Sequence, residues 1–274
     1  MAAIRTRRLG RTGMVVPELG LGAMDTPHST EALETVVAAL DLGIRFIDTA
    51  RDYEGSEHLL GRVIRERGAE GVVLSSKTFR RSASGAQYEV DRSLQVVGVP
   101  RIDLYQLHDV STVEVFDEVM AEGGALEGLK TAQYRGLIGH IGVSTHDLGL
   151  ARRLIESGEF DTIMLEYSAF YPDSEPLIEL AAAKDVGVIA MRPVGGSGRT
   201  STLRGMAERG EAGELTVANL LRYVLSNPAV SVAIPGARYA SRVVENVETV
   251  SGVKAMDAPE RRELEAAARG LWSG

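Results

Sequence analysis

The sequence predicts a closed (β/α)8 barrel with an N-terminal β-hairpin. Three observations lead there. Short apolar runs bounded by Gly, Pro or Asp alternate with amphipathic segments, as parallel strands buried on both faces alternate with the helices that cover them. That unit occurs eight times along the chain. The 274 residues match what one such barrel occupies, and no Pro-, Gly- or Ser-rich linker divides them. The expectation is one domain over residues 1–274.

The elements follow in order. Arg7–Leu21 reads as a hairpin turning at Arg11-Thr12-Gly13. Glu18–Met24 is the first barrel strand, and Ser29-Thr30-Glu31 caps a helix to about Leu42. Strand Ile44–Thr49 leads to helix Ser56–Arg67, and strand Val72–Thr78 to helix Gln87–Val97. Strand Ile102–His108 precedes helical material over Val113–Tyr134. Strands His140–Thr145 and Phe160–Tyr167 are followed by helices Leu148–Ser157 and Glu175–Asp185. Strand Val188–Pro193 precedes helix Thr216–Ser226; strand Val230–Pro235 precedes helices Ser241–Val250 and Pro259–Ala268. Trp272 falls in a short tail that either reaches the barrel mouth or packs outside it. Val194–Gly213 breaks the rhythm with six glycines and no period, so it reads as a long loop at the C-terminal face, either a mobile insertion or a lid.

Composition excludes several functions. Cysteine is absent, which removes disulfide scaffolds, Cys-ligated zinc, iron–sulfur clusters and thiol nucleophiles and fits a cytoplasmic protein. The net charge of −8 argues against nucleic acid as a partner. No apolar run nears the ~18 residues that suggest a membrane span. No apolar block follows Arg5, Arg7, Arg8 and Arg11, so the N-terminus does not read as a secretory signal.

In such a barrel the C-terminal ends of the strands carry the chemistry. The second strand ends at Asp48, the third at Lys77 and the fourth at His108, and Tyr53 lies on the loop leaving the second. Singly these residues read as a helix cap, a solvated strand end, a rim histidine and a loop aromatic. Together they form a set with a purpose. A buried Asp and Lys balance each other, and an ammonium beside a tyrosine hydroxyl is expected to lower its pKa from about 10. Such a tyrosine can exchange a proton at neutral pH, and a histidine beside it can polarise a carbonyl. These are parts for protonating an alkoxide as hydride arrives at carbon; a cofactor must bring the hydride.

Here the sequence resembles the aldo-keto reductases, over about Arg8 to Val250. The marks are the hairpin RRLGRTGMVVPELGLG, then GIRFIDTARDYEGSEHLLG (43–61), LSSKTF (74–79), DLYQLHDV (103–110), GLIGHIGVSTHD (136–147) and IPGARYASRVVEN (234–246). The resemblance implies a carbonyl reductase using NADPH, with NADH as the alternative. It assigns Tyr53 as general acid, Lys77 and Asp48 as the pair that tunes it, and His108 as the residue orienting the carbonyl. No Rossmann or Walker fingerprint is present, so the dinucleotide would lie across the barrel mouth. The positions implied for it are Gly22, Ala23, Asp48, Ser144, Thr145, Met164 and Met191, then Arg192, Pro193, Val194, Gly195 and Gly196. Its adenosine end falls at Pro235, Gly236, Arg238, Arg242, Glu245 and Asn246, where a helix N-terminus also favours phosphate. Met24, Phe79 and Asp109 are expected at the substrate.

Several positions differ from the family's common residues. Gly236 stands for Lys, Thr145 for Asn, Met164 for Gln and Met191 for Tyr. Arg238 can replace the charge lost at Gly236, which favours NADPH. The substrate is a small carbonyl compound whose identity is open, as is the oligomeric state, for which a monomer suffices. Two other readings stand beside the reductase: an NADP(H)-binding sensor or regulatory subunit with little turnover, and a metal-dependent hydrolase using His140 and His146, six residues apart. The second lacks a His-x-His pair and grouped carboxylates, so no metal is expected.

Overall fold

The computed structural model describes residues 3–26, 29–252 and 254–272. β1 (Thr6–Arg8) and β2 (Val15–Pro17) form an antiparallel hairpin. Eight further strands run parallel in sequence order: β3 (Leu21–Gly22), β4 (Phe46–Asp48), β5 (Val73–Thr78), β6 (Ile102–Leu107), β7 (Ile138–Ser144), β8 (Thr162–Glu166), β9 (Gly187–Met191) and β10 (Val232–Ala233). The sheet closes where the first strand meets the last. Gly20 N–H donates to Ala233 O at 2.8 Å, Ala233 N–H to Glu18 O at 2.9 Å, and Gly22 N–H to Pro235 O at 3.1 Å. Gly22 permits that approach, because a Cβ there would lie 2.8 Å from the Ile234 carbonyl oxygen. The (β/α)8 barrel with an N-terminal hairpin is therefore the observed fold.

The helices are α1 (Thr30–Asp41), α2 (Ser56–Arg67), α3 (Ala83–Val97), α4 (Val113–Met120), α5 (Ala125–Tyr134), α6 (Leu148–Ser157), α7 (Glu175–Ala183), α8 (Ser197–Glu208), α9 (Val217–Leu225), α10 (Ala240–Val250) and α11 (Ala258–Trp272). Ser29, Ser82, Thr112, Asp147 and Thr216 each cap a helix by accepting a backbone N–H, worth about 1 kcal/mol apiece. Among the described residues no helix is long and apolar enough to cross a membrane.

Inside the barrel, Phe46, Leu104, Met164, Ile189, Val232 and Ile234 pack with Leu9 and Val16 of the hairpin. Leu9 lies against Gly187, the first residue of β9, so the hairpin plugs the N-terminal end and leaves the opposite mouth open. Arg7 locks it there, donating to the carbonyls of Leu225, Asn227 and Val230 and pairing with buried Glu18.

Several predicted elements need correction. The first barrel strand shrinks to two residues, and Ala23–Asp25 is a 3-10 turn. The helical stretch at Val113–Tyr134 divides at Gly123, whose φ of 74° no helix holds. Val194–Gly213 is not a structureless loop, because it contains α8. Gly198 and Gly205 each cost a helix about 1 kcal/mol and obscure its period; Leu203, 1% exposed, anchors the helix all the same. α11 also runs past Ala268 to Trp272, whose side chain lies outside the described residues.

Candidate active site

β4 and β5 end side by side, which brings Asp48 and Lys77 together inside the barrel mouth. The Lys77 ammonium lies 2.5 Å from Asp48 Oδ2, and the two side chains are 0% and 2% exposed. Its other bonds go to the Thr49 carbonyl at 2.9 Å and the Tyr53 hydroxyl at 3.2 Å. Asp48 Oδ1 accepts from Ser75 at 3.0 Å and from the Gln106 amide at 3.2 Å. Burial pushes the Asp48 carboxyl up, against Lys77 and these donors. Burial pulls the Lys77 ammonium down, but Asp48 and Tyr53 outweigh it, so its pKa is raised. The pair stays charged as a unit.

Tyr53 sits on a tight turn that Gly55 (φ 70°) hands to α2. Its pKa is raised, not lowered as the sequence suggests. Burial is the larger cause, and Asp48 adds to it against the pull of Lys77. The Asp48 charge offsets part of the ammonium's pull, and burial does the rest. Tyr53 therefore carries its proton and is poised to donate it.

His108 follows β6 and stacks between two aromatic rings. Its ring centroid lies 4.1 Å from that of Phe79 and 5.6 Å from that of Tyr53, edge to face. Burial, then the charges of Lys77 and Arg81, push its pKa down to about 3, so it is neutral in ordinary buffers. Its buried Nδ1 has no partner among the described residues. Arg81 fixes the backbone here by donating to the carbonyls of His108 and Asp109.

These groups lie at a cavity of about 860 Å3. On the β4–β6 side it is lined by Asp48, Tyr53, His108 and Phe79, with Met24 from the turn after β3. From β7 to β9 it is lined by Ser144, Met164 and Met191, then by Arg192, Pro193, Val194, Gly195 and Gly196. Gly22 of β3 and, beyond β10, Gly236, Arg238 and Arg242 line it as well. Lys77 lies just behind Tyr53.

Other predicted residues do not line the cavity. Ala23 is buried, its carbonyl accepting from Ser56 and Thr26. Thr145 is 1% exposed and braces the loop by accepting from Asp147 N–H. Pro235 faces β3 through its carbonyl. Asn246 is buried, and Glu245 pairs with Arg204 and Arg242. Asp109 holds Ser111 rather than facing the cavity.

The cavity also has residues that strand-end reasoning does not reach: Asp25, Asp52, His146, Arg199, Arg204 and Tyr239. Arg199 and Arg204 ride on α8, so finding them required seeing that helix. With Arg192, Arg238 and Arg242 they make five guanidinium groups lining one cavity of a chain with net charge −8. Gly195 and Gly196 there hold φ of 89° and 87°, where a side chain is strained. A bare backbone turn ringed by arginines fits the phosphates of a dinucleotide. His140 and His146 do not meet. His140 pairs with Asp161, before β8, and His146 with Glu166 at its end. Among the described residues no cluster of three His, Asp or Glu could hold a metal.

Comparison with known proteins agrees with this architecture. The model of the Aldo/keto reductase family matches residues 18–263. An uncharacterized oxidoreductase of Bacillus subtilis, YqkF, is 24% identical over 97% of this chain and 100% of its own length. The L-galactose dehydrogenase of Arabidopsis thaliana is 27% identical over 97% of this chain and 95% of its own. The holo form of an aldo-keto reductase from Bacillus halodurans superposes with a TM-score of 0.80 at 22% identity, covering 96% of both chains, a likeness of fold. This chain belongs to the aldo/keto reductase family and is an oxidoreductase of that family.

Proposed function

We propose that the protein reduces an aldehyde, ketone or small sugar carbonyl to the alcohol with NADPH. The observation that carries this is the Tyr53 hydroxyl, protonated and 3.2 Å from Lys77, beside neutral His108 in an arginine-lined cavity. Bound nicotinamide supplies the hydride. A ring N–H of His108 donates to the carbonyl oxygen and fixes its direction. As negative charge grows on that oxygen, Tyr53 gives up its proton to it. The tyrosinate left behind is stabilised by Lys77, and Asp48 keeps Lys77 charged and aimed. Phe79 and Met24 form the apolar sides of the substrate space.

NADPH is favoured over NADH because Arg204 of α8 and Arg242 of α10 converge on Glu245 and Arg238 lines the same cavity. Glu245 and Asn246 are assigned to the adenosine, and a small sugar suits the likeness to the L-galactose dehydrogenase of Arabidopsis. The test is NADPH consumption against a panel of carbonyl compounds, with Tyr53→Phe alongside. Loss of the acid should slow turnover about 10²–10⁴-fold. Unchanged turnover in that variant would remove Tyr53 from its role. Tight NADPH binding with no turnover on any compound would leave a nucleotide sensor instead.

A further inference from the structure

His146 is a second histidine on the cavity wall, and nothing in the reduction above uses it. Its backbone is pinned, the N–H donating to Ser111 Oγ at 2.8 Å. Its ring is pinned too, with Nδ1 2.6 Å from Glu166 Oε1. Arg192 lies 2.6 Å from the same oxygen. Arg192 reaches it from a left-handed backbone (φ 51°) that a non-glycine residue adopts only under constraint. Three consecutive strand ends, β7, β8 and β9, thus converge to hold one imidazole.

The chemistry of the ring follows from its partner. Burial alone would raise the Glu166 pKa, but the hydrogen bond from His146 and the charge of Arg192 bring it below the ordinary value. A carboxylate only accepts, so Nδ1 carries the proton. In the neutral ring Nε2 is then an acceptor, and it is left for an occupant of the cavity.

Two residues back, at the end of β7, Ser144 lines the same cavity, while Thr145 between them is buried. Ser144 Oγ accepts the Asp109 N–H at 2.9 Å, so its own hydrogen remains to be donated. The wall thus offers one donor and one acceptor two residues apart in the chain. A primary amide presents the complement: a carbonyl oxygen and an NH2. Met164 and Met191 lie alongside as a flat apolar support for a ring.

We infer that His146, held by Glu166, accepts a hydrogen bond from the carboxamide NH2 of the nicotinamide, beside Ser144, which the family resemblance already places at the cofactor. This rests on the reductase reading. The redox ring must lie against Tyr53 and His108 and its phosphates toward the arginines, and Ser144 and His146 line the same wall as Met164 and Met191. Neither Thr145, which is turned inward, nor Met164, which is apolar, offers an amide to do it.

Calorimetric titration tests the assignment, using oxidised NADP+ and its 3-acetylpyridine analogue, in which methyl replaces NH2. His146→Phe should weaken NADP+ about three- to tenfold, the worth of one hydrogen bond, and change the analogue less than twofold. His146→Gln, which keeps an acceptor, should retain most of the NADP+ affinity. A partly exposed ring tolerates both changes, and thermal melts check the fold. Equal losses for both nucleotides would overturn the inference, as would no loss in either. A shift in substrate KM with both nucleotide affinities unchanged would overturn it too, placing His146 at the substrate. If the unaltered protein bound neither nucleotide, the reductase reading would fall with it.

Discussion

The Lys77 ammonium and the Asp48 carboxylate face each other at 2.5 Å, and both side chains are buried. A buried pair of this kind is held in place by mutual need, since either charge alone would be stranded in the barrel mouth. Asp48→Asn should therefore lower stability by about 3–5 kcal/mol, read as a drop in the denaturant midpoint. Asp48→Asn combined with Lys77→Met removes both charges and should recover much of that loss while leaving turnover abolished. A single variant as stable as the parent would mean that water reaches the pair.

The raised pKa of Tyr53 sets the pH profile of reduction. The reaction needs the protonated hydroxyl, and a raised pKa keeps it protonated. The tyrosine limb of kcat/KM for reduction should therefore stay flat through neutral pH and fall only above the ordinary tyrosine value of about 10. Oxidation of the alcohol needs the tyrosinate and should rise over that same range. A tyrosine limb below pH 8, traced by its loss in Tyr53→Phe, would show that Lys77 dominates after all.

Legibility in the sequence followed one rule. Asp48, Lys77 and His108 stand out because each is a polar residue ending an apolar run, and such ends mark the barrel mouth. The direction of the Tyr53 shift is hidden, because it depends on how fully the hydroxyl is buried and on Asp48 offsetting part of the pull of Lys77. α8 is hidden because Gly198 and Gly205 weaken its local signal while Leu203, buried by distant contacts, supplies the anchor. Glu166 is hidden because its importance lies in two partners on neighbouring strand ends.

α8 is tied to α10 by one carboxylate. Glu245 Oε2 accepts from Arg204 at 2.8 Å and from Arg242 at 3.2 Å. Half-exposed pairs of this kind are worth up to about 1 kcal/mol and weaken with salt. Arg204→Ala should raise proteolytic nicking within Ser197–Glu208 by about fivefold or less, and high salt should do the same to the parent. Added NADPH should suppress nicking in the parent more than in the variant. Equal protection in both would show that Arg204 neither holds the helix nor meets the nucleotide.

His108 makes folding sensitive to acid in a defined window. Its folded pKa is about 3 against an ordinary value of 6.5. Between those values the unfolded chain binds a proton that the folded protein refuses, so stability rises with pH there. The contribution of neutral His108 is thus complete above about pH 6.5 and declines as the pH falls toward 3. Carboxylates held below their ordinary pKa, such as Asp161 and Glu166, lose stability at the lower end of the same range, so the parent curve alone does not isolate the histidine. His108→Gln does, because it keeps a polar ring-sized group without a titrating proton. The difference in unfolding free energy between parent and variant, measured by denaturant titration at steps from pH 7.5 to 4, should shift in the variant's favour as the pH falls. A constant difference across that range would mean that the folded protein accepts the proton, and that His108 is more open to water than its stacked position between Phe79 and Tyr53 allows.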